Sequence, residues 1–112
     1  MSLLLQGSVI WGYLDPTVGK EQSGRRPLVV ISSEEYNALV TDLLIVLPVT
    51  RADRGWPNHV ELRGDIGSLQ GFAMTEQPRT ISRTRCGEVI GLLDLSCLEE
   101  IKTCLGDFLA IG

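Results

Sequence analysis

The sequence predicts a mainly β fold of the α+β kind: a small, strongly curved sheet or barrel closed by a C-terminal α-helix. Three observations carry that expectation. Short apolar runs rich in β-branched residues recur along the 112 residues, separated by glycine- or proline-bearing breaks. The hydrophobic share is 44% and the mean hydropathy +0.15, enough for one ordered core, so residues 1–112 are expected to form one domain. Near the end the period changes. Leu98, Ile101, Leu105, Phe108 and Leu109 fall on one helical face, behind a capping-box pattern of Ser96 and Glu99.

The elements follow in order. Ser8-Val9-Ile10-Trp11-Gly12-Tyr13 reads as a strand, with Trp11 as a core or interface anchor. Asp15 to Gly24 is turn chemistry, an Asp-Pro pair followed by glycines in a polar run. It leads into Pro27-Leu28-Val29-Val30-Ile31, a buried strand. Ser32 or Ser33 caps a short helical turn whose early acids, Glu34 and Glu35, suit the helix dipole. Asp42 to Thr50 is nearly continuous apolar sequence and is expected to be a central strand, with Pro48 at a bulge or strand end. Arg51 to Asn58 is a charged loop, and His59 to Leu62 alternates like an edge strand. Arg63 to Gln70 reads as a turn, Gly71 to Gln77 as a strand stopped by Pro78, and Glu88 to Leu93 as the last strand.

The formal charge is −4, which argues against a generally basic nucleic-acid binder. The charge is uneven, however. Asp94, Glu99, Glu100 and Asp107 face only Lys102 in the last 19 residues, a local net of −3. Elsewhere Arg79, Arg83 and Arg85 outnumber Glu76, which permits a basic patch. Cys86, Cys97 and Cys104 form no C-x-x-C pair and read as small buried hydrophobes. One histidine and scattered thiols give no zinc spacing, so neither metal nor cofactor is expected. The leading Met1-Ser2-Leu3-Leu4-Leu5 is too short for a signal or a membrane span, and the expectation is a cytoplasmic chain with no membrane partner.

His59, the reflex choice for a general base, has no thiol or second histidine beside it in sequence and reads as structural or interfacial. No nucleophile elbow, Walker or Rossmann glycine pattern is present. By elimination, the polar groups able to act together are Glu21, Arg26, Thr50, Glu76 and Gln77, each at a strand end or a loop–strand junction. They suit charge stabilisation of a phosphate as well as they suit a surface network.

The run Leu14-Asp15-Pro16-Thr17-Val18-Gly19-Lys20-Glu21-Gln22-Ser23-Gly24-Arg25-Arg26-Pro27-Leu28-Val29-Val30 closely resembles the first motif of the MazF/PemK (Kid) toxins. Val46-Leu47-Pro48-Val49-Thr50 is similar to their second motif, and Glu76-Gln77-Pro78-Arg79-Thr80-Ile81 to their third. The resemblance implies an SH3-related, PemK-like barrel that dimerises, and a groove at the dimer interface for which RNA and a cognate antitoxin compete. It implies a metal-independent mRNA interferase, in which a ribose 2′-hydroxyl attacks the adjacent phosphate of single-stranded RNA to leave a 2′,3′-cyclic phosphate and a 5′-hydroxyl. The family's catalytic arginine and threonine fall on Arg26 and Thr50, and its first-motif acid on Glu21. Glu76 stands where aspartate is commoner, and Met74 where the Kid branch carries a catalytic arginine, so the chain follows the MazF branch.

A guanidinium with a pKa above about 12 is a poor base, so Arg26 is assigned to phosphate clamping and a carboxylate, Glu21 ahead of Glu76, to the base. Arg25, Glu76, Gln77, Trp56 and Arg79 are expected to bind the substrate. Arg25 steers backbone phosphates, and Trp56 with the two long loops is the candidate for base stacking and selection, core or dimer packing being the alternative for Trp56. Two rivals remain. A CcdB-type gyrase poison ends in Trp-Gly-Ile, whereas this chain ends Phe108-Leu109-Ala110-Ile111-Gly112. A degenerate, non-catalytic binding module becomes the better account if Arg26 and Thr50 lie far apart.

Overall fold

The computed structural model describes residues 4–14 and 24–111. Eight strands, β1 (Ser8–Gly12), β2 (Arg26–Val30), β3 (Leu43–Thr50), β4 (His59–Glu61), β5 (Gly64–Asp65), β6 (Phe72–Met74), β7 (Arg79–Ser82) and β8 (Cys86–Leu93), surround two helices, α1 (Glu34–Leu39) and α2 (Leu95–Leu109). The strands run in the spatial order β4-β6-β3-β2-β1-β8-β5, with β7 also paired to β3. Every pairing is antiparallel. The fold is therefore a curled, mainly β sheet with a C-terminal helix, as the alternation of apolar runs and breaks predicts.

The central strands read as continuous apolar sequence because both of their faces are buried. Val9, Val29, Leu47 and Val49 join Val60, Ala73 and Leu93 in a cluster closed by Cys97 and Ile101 of α2. Their sequence neighbours Ile10, Leu28, Val30, Leu44 and Val46 point the other way and pack with Ile81. Successive side chains alternate across a strand, so one strand feeds two clusters.

β3 is the hub. One edge pairs with β2, while the other pairs with β7 over Leu43–Val46 and with β6 at Val49 and Thr50. Leu47 and Pro48 fall between those two partners, so the missing N–H of Pro48 coincides with a break in the ladder. Pro48 is thus fully buried inside the strand rather than at a bulge or its end.

Two strands escape the sequence pattern. Within Arg63–Gln70, predicted as a turn, β5 pairs Gly64 and Asp65 with Leu93 and Leu92. A Cβ at Gly91 would stand 2.0 Å from the Asp65 carbonyl oxygen, so this pairing depends on Gly91. In β7 only Ile81 is fully buried, which leaves a four-residue strand without a legible period.

The cap of α2 also differs from expectation. Asp94, not Ser96, is the N-cap, and its Oδ1 accepts from the Cys97 N–H at 2.8 Å and from the Ser96 hydroxyl at 3.1 Å. Ser96 sits inside the first turn. The apolar face is as predicted through Ile101, but Phe108 and Leu109 are 53% and 65% exposed, beyond the end of the core. Cys97 is buried and Cys86 and Cys104 half-buried, and burial pushes the Cys86 and Cys97 thiols above their ordinary pKa.

Candidate active site

Arg26 opens β2 and Thr50 closes β3. The register that sets Leu28 opposite Pro48 carries Arg26 to the level of Thr50 two residues further on. Both line an open cavity of ≈ 420 Å³, together with Trp11, Arg25 and Arg51. The requirement that these two motif residues converge is met.

Thr50 is held by its own loop. Its Oγ1 accepts from the Ala52 N–H at 3.1 Å, which leaves the hydroxyl proton free to donate into the cavity. Arg25 lies over the Trp11 ring, its guanidinium carbon 4.4 Å from the ring centroid. That contact turns a long side chain into a positioned one. Three arginines, 25, 26 and 51, share the cavity with no acidic residue in its described lining. A chain of net charge −4 thus concentrates positive potential where a phosphate would sit. Because strand ends anchor it on both sides, the cavity is preorganised for an anion.

The third-motif residues form a separate cluster. Glu76 and Gln77 lie in the connection between β6 and β7, further along β3 from Thr50, and do not line the Arg26 cavity. Glu76 Oε1 accepts from Asn58 Nδ2 at 2.7 Å, and Oε2 accepts from His59 Nε2 at 3.1 Å and Gln77 Nε2 at 3.3 Å. Burial opposes the charged carboxylate, but the hydrogen bonds from His59, its own backbone and Gln77 outweigh it, and the pKa of Glu76 is lowered. The buried His59 ring meets that of Trp56 at a tilt of 52°, with centroids 4.7 Å apart, and its Nδ1 has no partner among the described residues. His59 is buried and paired with Glu76, an environment compatible with the structural or interfacial role its sequence context suggests. Trp56 is half exposed, fixed on one face by His59 and approached by Arg54 at 5.6 Å.

The anticipated basic run behaves differently from its count. Arg83 donates to the Leu43 and Asn37 carbonyls, and Arg85 to the Leu14 carbonyl at 2.9 Å. Arg79 is exposed in β7 opposite Val46, away from Thr50. The basic patch is instead made by Arg25, Arg26 and Arg51. Arg51, Trp11 and Gln70 join the site without being among the residues that the motifs point to. Arg51 follows Thr50 directly and so was accessible from sequence, whereas Trp11 and Gln70 arrive only through strand pairing. Glu21 and the rest of residues 15–23 lie outside the described residues.

Among the described residues, no group of three or more His, Cys, Asp or Glu is placed to hold a metal ion, and no helix is long and apolar enough to cross a membrane.

A curled β-sheet with an open, arginine-lined cavity at two strand ends matches a known class. Residues 5–109 match the family described as PemK-like, MazF-like toxin of type II toxin–antitoxin system. The chain belongs to that family. It is 38% identical over 76 residues to the endoribonuclease toxin MazF of Escherichia coli (strain K12), a match covering 68% of this chain and 66%, just under two thirds, of that protein. The crystal structure of MazF (Form-I) from Deinococcus radiodurans superposes with a TM-score of 0.82 at 31% identity, over 99% of this chain and 100% of that one. The MazE–MazF structure (Form-II) from the same organism gives 0.85 at 30% identity, with both chains fully covered.

Proposed function

We propose that this chain acts, as a single domain over residues 1–112, as a sequence-specific endoribonuclease toxin that cleaves single-stranded RNA. The observation that carries this is the convergence of Arg26 and Thr50 in one arginine-lined, acid-free cavity. In the proposed reaction the ribose 2′-oxygen bonds to the adjacent phosphorus and the P–O5′ bond breaks. The products are a 2′,3′-cyclic phosphate and a 5′-hydroxyl. The 2′-hydroxyl proton passes to a base, and the departing 5′-oxygen takes a proton. The electron and proton balance needs neither water nor a metal.

Arg26 clamps the phosphate as charge grows on its oxygens, with Arg51 adding positive potential. The Thr50 hydroxyl, its oxygen already engaged by the Ala52 N–H, donates to the same oxygens. Glu21 is the proposed base. Glu76 is a weaker candidate for that role, since its carboxylate is engaged by His59, Asn58 and Gln77 and its pKa is lowered. Arg25, fixed on Trp11, steers a neighbouring backbone phosphate.

Membership of a toxin–antitoxin family supports a cognate antitoxin as the neutralising partner. A homodimer acting on mRNA in the cytoplasm completes the proposal. The test is incubation of the purified protein with a long RNA in EDTA, with Arg26→Ala as control. EDTA-resistant cleavage at a short, fixed sequence, ending in 2′,3′-cyclic phosphates and abolished in the control, is expected. Intact RNA, or equal cleavage by the variant, overturns it.

A further inference from the structure

A second open cavity of ≈ 720 Å³ adjoins the first and shares Trp11, Arg51, Leu69 and Gln70 with it. Both volumes lie in the range of about 300–1,000 Å³ usual for small-molecule sites. Strand register links them. Thr50 faces Phe72 across β3 and β6, and Phe72 faces Glu61 across β6 and β4. Directly paired residues project to the same face, so Thr50, Phe72 and Glu61 form a row across three strands. With strands about 4.8 Å apart, Glu61 stands about 10 Å from Thr50. A ribose and base can bridge that span from a phosphate held at Thr50.

The chemistry of the second cavity is unlike that of the first. Beyond the shared Arg51, it is lined by Trp11 and Phe72, the polar residues Ser68 and Gln70, and one carboxylate, Glu61. Glu61 is exposed, and its carboxylate makes no hydrogen bond or ion pair among the described residues. Only its backbone oxygen is engaged, by Arg63 Nη1 and Cys97 Sγ. The Glu61 carboxylate repels phosphate, so the backbone is favoured at the Arg51 end, next to the first cavity, and disfavoured beside Glu61. A neutral group that stacks and offers N–H donors is favoured there.

We propose that this cavity is a base-reading subsite for a nucleotide flanking the scissile phosphate, in which Phe72 and Trp11 stack on the base and Glu61 selects its Watson–Crick edge. The proposal rests on the ribonuclease function above. A carboxylate accepts two parallel hydrogen bonds from guanine, through N1–H and the N2 amine. Adenine and cytosine each offer one amine. Uracil presents a single N3–H between two carbonyls, which the carboxylate repels. The order of preference is therefore guanine first and uracil last.

The test uses short RNAs that differ only in the base on either side of the cleavage point, in two forms. One form has a 2′-deoxyribose at the cleaved nucleotide and reports binding by fluorescence anisotropy; the all-ribose form reports cleavage. Wild-type protein is expected to bind a guanine-bearing oligonucleotide at least about tenfold more tightly than the uracil one at one of the two positions. Glu61→Gln is expected to bring that ratio to within about twofold, because the amide no longer offers two acceptors. Gln70→Ala, in the wall common to both cavities, provides a second variant and is expected to lower the same ratio. Phe72→Leu weakens all four oligonucleotides alike, since stacking is tolerant of base identity.

Guanine-selective binding that Glu61→Gln abolishes supports the subsite even if the all-ribose oligonucleotides stay intact, in which case the cleavage reaction fails separately. Cleavage with no base preference at either position, or a preference unchanged by both Glu61→Gln and Gln70→Ala, overturns the subsite and leaves the reaction standing. If Glu61→Gln shifts the oligomeric state in sedimentation and leaves the base ratio untouched, the cavity is a contact between copies of the chain and the proposal is overturned.

Discussion

The buried ring of His59 meets the Glu76 carboxylate at 3.1 Å and fastens the end of the β3–β4 loop to the β6–β7 connection. The same carboxylate holds Asn58, and the Asn58 carbonyl accepts from the Thr75 hydroxyl at 2.7 Å. Trp56 rests on the His59 ring, so the pair also decides where that indole points. The pKa of Glu76 lies below its ordinary value of 4.5, because its hydrogen bonds outweigh the opposing effect of burial. A group whose folded pKa is depressed contributes stability that is present above the unfolded pKa and is lost as pH falls through the folded pKa. Thermal unfolding of the wild type should therefore weaken from pH 5 downwards more steeply than that of Glu76→Gln. Parallel curves for the two proteins would show that the carboxylate carries no such linkage. His59→Ala, which leaves the carboxylate short of a donor and opens space under Trp56, should cost about 1–3 kcal/mol in urea unfolding at pH 7.

Thr50 allows the proposed donor role to be separated from packing. Valine matches its shape but has no hydroxyl, whereas serine keeps the hydroxyl and loses a methyl. Thr50→Val should lower kcat for RNA cleavage by about 10²–10³, the usual effect of removing one donor from a developing oxyanion. Thr50→Ser should stay within about tenfold of wild type. If valine is as active as serine, the hydroxyl has no part in the reaction.

Much of this arrangement is legible in the residues. β1, β2 and β3 stand out because burial on both faces makes their runs almost wholly apolar, and Arg26 and Thr50 stand out because each sits in a motif at a strand end. Partners brought in by register do not. Glu76 and His59 are 17 positions apart, and nothing local signals their contact. The sequence groups Glu76 and Gln77 with Arg26 and Thr50, yet β3 pairs Val49 with Ala73 and Val46 with Arg79, which sets the connection carrying Glu76 and Gln77 away from Thr50. β7 has no legible period because only Ile81 of its four residues is fully buried, and β5 has none because it is two residues held by a gap at Gly91.

Gly71 makes a close approach to the site that no larger residue can share. A Cβ there would lie 2.7 Å from Val49 Cγ1 and 2.9 Å from the Thr50 carbonyl oxygen. The first contact falls on a side chain that is 6% exposed, and the second on the backbone of a proposed catalytic residue. Gly71→Ala should therefore destabilise by about 1–3 kcal/mol, as overpacking does. It should also lower cleavage more than the fraction unfolded accounts for, because relief of the clash displaces Thr50. Circular dichroism melts and cleavage rates on the same samples separate the two effects. Wild-type rates per folded molecule would show that Thr50 does not move.

Asn37 tests how the sheet is tied to its amino-terminal segment. Its amide is almost fully buried and donates to the Leu4 carbonyl at 2.9 Å and the Ser32 carbonyl at 3.2 Å. It accepts from the Ser32 hydroxyl at 2.6 Å, and the oxygen of that hydroxyl accepts from the Ile45 N–H at 3.2 Å. α1, the entry to β3 and the segment before β1 thus share one satisfied polar knot. Asn37→Leu keeps the volume but strands several of these groups, each at about 1–3 kcal/mol, so a loss of about 3 kcal/mol is expected in urea unfolding. Asn37→Asp is the sharper variant. Burial raises the pKa of a carboxyl at this position, so the folded state binds the proton more tightly than the unfolded chain, and the protonated acid can still donate one hydrogen bond. Its stability should be highest at low pH and fall as pH rises through the raised pKa. Measured against wild type, the deficit of Asn37→Asp should be smaller at pH 4 than at pH 7; an equal deficit at both would mean that water reaches this knot and solvates the charge.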